Sequence, residues 1–195
     1  TEHVSRLAYD DQLGSHEAVT TARSLEGVEP GLHVVEVDHL ARRTSSPEEA
    51  DAVVDLVRSL AGRAWTDEHG TRALTPADVI VVTPYNHQVR TLRGALEAAG
   101  LAEVEVGTVD KFQGQEAPVA VLSMAASSAH DVSRGLRFVL DRHRLNVAIS
   151  RGQHAAYVVL SPRLLDATPR TPGELRSLGA FMGLVQAGSR RALAV

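Results

Sequence analysis

The runs DVIVVTP (78–84), VAVLSMA (119–125) and AAYVVLS (155–161) are apolar at nearly every central position. A strand with one wet face alternates apolar and polar residues. Runs without that alternation read as strands covered on both faces, as in a parallel sheet between two helical layers. The segments between them supply the helices. SSPEEADAVVDLVRSLAG (45–62) has Ser46 to cap its start, Pro47 at the first helical position, and Glu48 and Glu49 at the positive end of the dipole. Val53, Leu56, Val57 and Leu60 form its apolar stripe, and Gly62 stops it. NHQVRTLRGALEAAG (86–100) repeats the pattern with Val89, Leu92 and Leu96. HRLNVAISRG (143–152) and residues 173–188 read as two more helices, and GLHVVEVDH (31–39), VEVGTV (104–109) as further strands. TDEHGTRALTPAD is a loop or hairpin tip, and residues 1–30 have no sustained period. This order predicts an α/β fold with a mostly parallel sheet and helices on both faces.

A chain of 195 residues suffices for one domain with its own core. No apolar run has the length of a membrane span, and no signal peptide is visible at the start. The absence of cysteine excludes a disulfide framework and thiolate metal sites, so a cytoplasmic protein is expected. A net charge of −4 argues against a dedicated nucleic-acid module. Residues 131–154 nevertheless carry Arg134, Arg137, Arg142, Arg144 and Arg151 against Asp131 and Asp141, a local basic face. The histidines have no metal-ligand spacing and read mostly as surface residues, so no metal site is expected.

Ligands of open α/β sheets bind beyond the carboxyl ends of the strands, where TPYNHQ and GTVDKFQGQE both fall. VGTVDKFQGQE (106–116) is the densest cluster of phosphate-seeking groups in the chain. Gly114 would let backbone approach a phosphate or ribose, Glu116 would accept from hydroxyls, and Thr108 would donate to a phosphate. An ordinary strand–turn–strand fits those residues equally well. In RLNVAISRG, Arg144 and Arg151 are seven residues apart, on one face if 143–152 is a single helix. Arg151 reads either as a phosphate-reaching arginine or as a solvated one.

VIVVTPYNHQVRTLR, VGTVDKFQGQEAPVAVLSM and LNVAISRG, in this order and spacing, resemble motifs IV, V and VI of the superfamily 1 helicases. The branch resembled is that of the nonsense-mediated-decay and Okazaki-fragment-processing helicases. DKFQGQEAP with SSAHDVSRGLRF resembles more closely bacterial proteins in which such a helicase follows a RecB-like nuclease region. The resemblance covers residues 78–161, and TEHVSRLAYDDQL (1–13) resembles the segment after that family's Arg-Met-His-Pro motif. It implies a RecA-like second motor domain without a P-loop of its own. Residues 1–195 would form that one domain, with 1–30 as lead-in and 173–195 as terminal helix and tail.

By the same resemblance, Thr83, Pro84, Tyr85 and Gln88 match motif IV, beside the single strand and the cleft, with Tyr85 on the nucleotide side. Thr108 and Asp110 match the strand-contacting start of motif V. Gln113, Gly114 and Glu116 match its nucleotide-facing end, with the glutamate near the ribose. Asn146, Ser150 and Arg151 match motif VI, with Arg151 as the finger on the γ-phosphate. The implied cofactor is ATP with Mg2+, the metal being held by a first motor domain. The implied partners are single-stranded DNA or RNA and that first domain of the same parent chain, with no membrane. Pro118 and Gly152-Gln153 depart from the family pattern, the latter implying a looser exit from the finger. No G-x-x-x-x-G-K-[ST] loop and no Asp-Glu magnesium pair is present, so the chain is expected to be half a motor, inactive in ATP hydrolysis alone. The alternatives are a noncatalytic nucleic-acid-binding domain using the basic face and Tyr85, and a metal-dependent nuclease. The spacing of Glu105, Asp110 and Lys111 does not suit the latter.

Overall fold

The computed structural model describes residues 23–132 and 135–190. Residues 1–22, most of the expected irregular lead-in, lie outside the described residues, as do Arg134 and the tail 191–195. Six strands form one parallel sheet: β2 (Gly31–Glu36), β5 (Val79–Val82), β6 (Glu105–Gly107), β7 (Ala117–Ser123), β8 (Gly152–Leu160) and β9 (Ser189–Arg190). Their order is β6-β5-β7-β8-β2-β9. The register pairs Val82 with Gly107 and Leu122, and Leu122 with Val158, so the strands end together at one carboxyl edge. A smaller antiparallel sheet, β1 (Ser24–Leu25), β3 (Ala64–Asp67) and β4 (Gly70–Ala73), contains the expected hairpin.

The unbroken apolar runs are explained by two cores. On one face, Val79, Val81, Val119, Val121, Tyr157 and Val159 meet α1 (Pro47–Leu60) and α2 (Asn86–Ala98). On the other, Ile80, Val82, Ala120, Leu122, Val158 and Leu160 meet α4 (Arg142–Ile149) and α5 (Pro172–Ala187). A four-residue helix, α3 (Leu136–Val139), precedes α4 on that second face. Adjacent strand residues face opposite helical layers, so both sides of a strand are apolar along most of its length.

Helix α1 starts as its sequence predicts. Ser46 is the N-cap, its hydroxyl accepting from Glu49 N at 3.1 Å, and Pro47 is the first helical residue. Pro118, unable to donate to a ladder, lies at the register irregularity between Ala117 and Val119, where a central strand tolerates proline. Among the described residues no helix is long and apolar enough to cross a membrane.

The expected helix over 143–152 ends early. Helix α4 stops at Ile149 and Gly152 already belongs to β8. Gly152 does not loosen the exit: a Cβ there would collide with the Ala155 carbonyl oxygen, so the tight start of β8 excludes a side chain. Leu56 of α1 is fully buried against the sheet. Leu56→Ala should lower unfolding free energy by about 2–5 kcal/mol, read as an earlier urea midpoint at unchanged slope.

Candidate functional site

The parallel register divides the motif residues between the two edges of the sheet. At the carboxyl edge, Thr83 follows β5 and its N–H donates to the Gly107 carbonyl at 3.1 Å, beside Thr108 at the end of β6. Thr108 and Pro84 are half-buried. The Thr83 side chain is fully buried, and its hydroxyl has no hydrogen-bond partner among the described residues. From Thr108 the chain crosses the second face through a 3-10 turn (Val109–Phe112) and enters β7 at the opposite, amino edge. Phe112, 0% exposed, pins this crossover into the core, while Asp110, Gln113, Gly114 and Glu116 stay exposed. Gly114 has φ +84° with nothing near its missing Cβ, so backbone conformation alone asks for glycine there.

Arg151 meets that crossover at the amino edge. The Ala117 N–H donates to the Arg151 carbonyl at 3.0 Å, where β7 and β8 begin. The guanidinium donates through Nε to the Val147 carbonyl at 3.0 Å, through Nη1 to the Gln115 carbonyl at 3.1 Å and through Nη2 to Ser150 Oγ at 3.0 Å. These bonds fix the plane of the group and leave its remaining N–H groups for an acceptor outside the chain. The structure thus brings Arg151 together with Gly114–Glu116, though not by the helical spacing expected of Arg144 and Arg151. Arg144 lies near the other end of α4, its guanidinium 4.4 Å from the Phe138 ring centre. It lines a shallow cavity of about 190 Å³ with Val109, Asp110, Gln113, His143 and Val147. Of the arginines of the expected basic face, Arg137 lies on α3, Arg142 and Arg144 in the first turn of α4, and Arg151 beyond its end.

Three motif IV assignments need correction, the first being Thr83, whose fully buried side chain does not reach a strand. Tyr85 stands at the carboxyl edge, 5% exposed, with its ring 5.8 Å from Phe138. It is neither beside Gly114, Glu116 and Arg151 nor an open stacking platform. Gln88 is fully buried, its amide oxygen accepting from Ser46 N at 2.7 Å and its amide nitrogen donating to the Ser46 carbonyl at 3.1 Å and to Ser123 Oγ at 3.0 Å. With its amide engaged inside the core, Gln88 cannot touch a strand.

Gln88 belongs to a buried polar network that the sequence reading missed. The Glu49 side chain is 0% exposed, and its carboxylate accepts from Ser123 Oγ at 2.6 Å, Ala125 N at 2.9 Å and His39 Nε2 at 3.0 Å. His39 Nδ1 meets Ser127 Oγ at 2.7 Å, and that oxygen also accepts from Arg42 N at 2.9 Å. The signal was available: Glu49 continues the stripe of Val53, Leu56, Val57 and Leu60 one turn back, on the buried side. Histidines are likewise divided. His69, His87, His130 and His143 are exposed, while His33, His39 and His154 are buried. Among the described residues no group of three or more His, Asp or Glu side chains is placed to hold a metal. Lys111 instead pairs with Glu105 at 2.8 Å.

Beside this network Glu48 forms a two-pronged bond with Arg42, 2.6 Å at the shortest. The bond from Arg42 holds the Glu48 carboxyl down at about 2. A carboxyl held below its ordinary value stabilises the fold above that ordinary value and loses the contribution as pH falls through the folded one. Solvent reaches both side chains, which keeps the effect small. Glu48→Gln should therefore narrow the stability difference between neutral pH and pH about 2, measured as urea midpoints across that range.

A family model described as AAA domain matches residues 1–163. The chain is 29% identical over 156 residues, 75% of its length, to the 3'-5' exoribonuclease HELZ2 of Mus musculus. It is 38% identical over 96 residues, 46% of its length, to the Regulator of nonsense transcripts 1 homolog of Neurospora crassa. It is 43% identical over 86 residues, 44% of its length, to the DNA polymerase alpha-associated DNA helicase A of Schizosaccharomyces pombe. The matched parts are 5%, 8% and 12% of those relatives, so the chain spans a small fraction of their length. A solved C-terminal domain of a possible DNA helicase from Lactobacillus plantarum aligns with 84% of this chain and 86% of its own, at 16% identity and a TM-score of 0.46. The fold assignment rests on the chain's own strand order rather than on that likeness.

Proposed function

The chain belongs to the AAA domain family, and from that membership we propose that it is the second motor domain of an ATP-dependent superfamily 1 helicase. The observation that carries the proposal is the fixed Arg151 guanidinium against the Gly114–Glu116 turn, with N–H groups to spare. A planar, permanently charged fork held in this way suits phosphate oxygens. In this reading Arg151 meets the γ-phosphate of ATP and neutralises the charge that builds on the transferred phosphoryl group. Exposed Glu116 accepts from the ribose hydroxyls, and Gly114 lets the backbone approach. Gln113, exposed on the same crossover, belongs to the same side.

The strand contacts fall to the carboxyl edge, through Thr108 and Pro84, with Asp110 where the crossover leaves it. Gln88, Tyr85 and Thr83 support that edge from inside. A first motor domain of the same parent chain supplies the phosphate loop and the groups that hold Mg2+, since this sequence has neither. ATP binding then closes two domains over Arg151, and hydrolysis releases them, so grip on one strand alternates between the domains. The isolated domain, lacking the phosphate loop, would not hydrolyse ATP. Within the superfamily, DKFQGQEAP favours the bacterial branch in which a RecB-like nuclease region precedes the motor, and the cysteine-free sequence fits a cytoplasmic setting.

Strand-stimulated ATP hydrolysis by the complete parent protein tests the reading. Arg151→Ala should lower the rate by about 10³-fold or more, with strand affinity kept within a few-fold. A parent without hydrolysis, or a variant that loses none, would leave a domain of degenerate motor fold that only binds nucleic acid.

A further inference from the structure

Two non-glycine residues among the described ones have positive φ, Ala41 at 57° and Ala125 at 62°. Both stand in loops leaving the carboxyl edge, Ala41 after β2 and Ala125 after β7. An alanine persists in this region when its surroundings over-determine it. One network holds both. The Ala125 N–H donates to Glu49 Oε2, and next to Ala41 the Arg42 N–H donates to Ser127, which is bonded through His39 to the same carboxylate.

The third arm reaches motif IV. Ser123 Oγ donates to Glu49 Oε2 and accepts from Gln88 Nε2, and Gln88 also clasps the backbone of Ser46 on both sides. Gln88 lies in the first turn of α2, directly after Thr83, Pro84 and Tyr85. One carboxylate therefore sets the relative positions of the loop after β2, the loop after β7 and the segment that opens α2. A well-packed apolar side chain at position 49 would secure the core as well as a buried carboxylate does. What the apolar residue would not supply is an acceptor aimed at a strained backbone N–H and a tie to Gln88.

We infer that Glu49 is a positioning residue for single-strand binding: buried, out of reach of any ligand, it sets where Pro84 and the amino end of α2 stand on the carboxyl edge. This rests on the reading of that edge as the strand track. The test uses the full parent protein with Glu49→Gln, which keeps shape and removes charge. Hydrogen exchange should rise about ten-fold or more in peptides covering 83–89 and 124–128, with β7 and β8 unchanged. The Kd for a fluorescently labelled single strand should rise about five-fold or more, while half-saturation by ATP moves by less than about two-fold. No local rise in exchange overturns the inference, as does a local rise with unchanged strand Kd. A wild type that binds the strand without hydrolysing ATP removes the motor reading alone, and one that binds no strand removes both. If Glu49→Gln does not fold, Ser123→Ala cuts the tie to Gln88 and leaves the carboxylate its Ala125 and His39 donors, with the same two readouts expected in the same direction.

Discussion

A carboxylate with no access to water is the constraint around which the carboxyl edge is built. Burying an ion costs several kcal/mol unless hydrogen bonds replace its hydration. Glu49 recovers them from a strand-end hydroxyl, a backbone amide and an imidazole. The donors come from the end of β7 and from the loop after β2, so the carboxylate can be satisfied only when β2, β7 and α1 are in register. Removing one partner of such a buried arrangement strands the rest, which makes the edge cooperative. The glutamine that completes the network belongs to α2, so both helices of this face are tied at their amino ends as well as packed along their apolar stripes.

This edge has order of a kind that the opposite edge lacks. At the amino edge a single arginine is fixed by two carbonyls and a hydroxyl, and the neighbouring Gly114–Glu116 turn is exposed. A turn with few buried contacts can adapt to a ligand, whereas an edge locked by a buried network presents one geometry. Under the proposed function, the division matches a strand that requires a preset surface and a nucleotide site completed by a second domain.

The fold was legible because its strands carry no alternation. VIVV and VAVL admit burial on both faces and little else, and the cap of Ser46 with Pro47 marked the start of α1 to the residue. The end of α4 was not legible, since residues 150–152 carry no stop stronger than a glycine that also suits a helix end. Only the close approach to the Ala155 carbonyl reveals why Gly152 opens a strand. The candidate site was legible by motif but not by place. Tyr85 and Gln88 look polar and available in the sequence, yet Tyr85 packs into the core that holds Ile80 and Val82, and the first turn of α2 turns Gln88 inward. In the sequence Glu49 reads as a dipole partner, because a carboxylate in a first helical turn usually is one. Its stripe neighbours Val53 and Leu56 said otherwise.

The two edges are joined by the shortest crossover in the sheet. Between Gly107, which ends β6, and Ala117, which opens β7, the chain has nine residues to pass from the carboxyl edge to the amino edge. A helix of the length of α2 would decouple its ends through its own side-chain packing. Here a 3-10 turn and one buried ring, Phe112, do the whole connection. Thr108 at one end bonds back through its carbonyl to the Lys111 N–H, and Gln115 at the other receives Arg151. Phe112 sits in a close-packed core that does not deform continuously, which fixes the middle of the connection. The stretch that joins the two edges is thus the same stretch that carries the densest chemistry in the sequence, and its brevity, as much as its residue types, is what the fold requires of it.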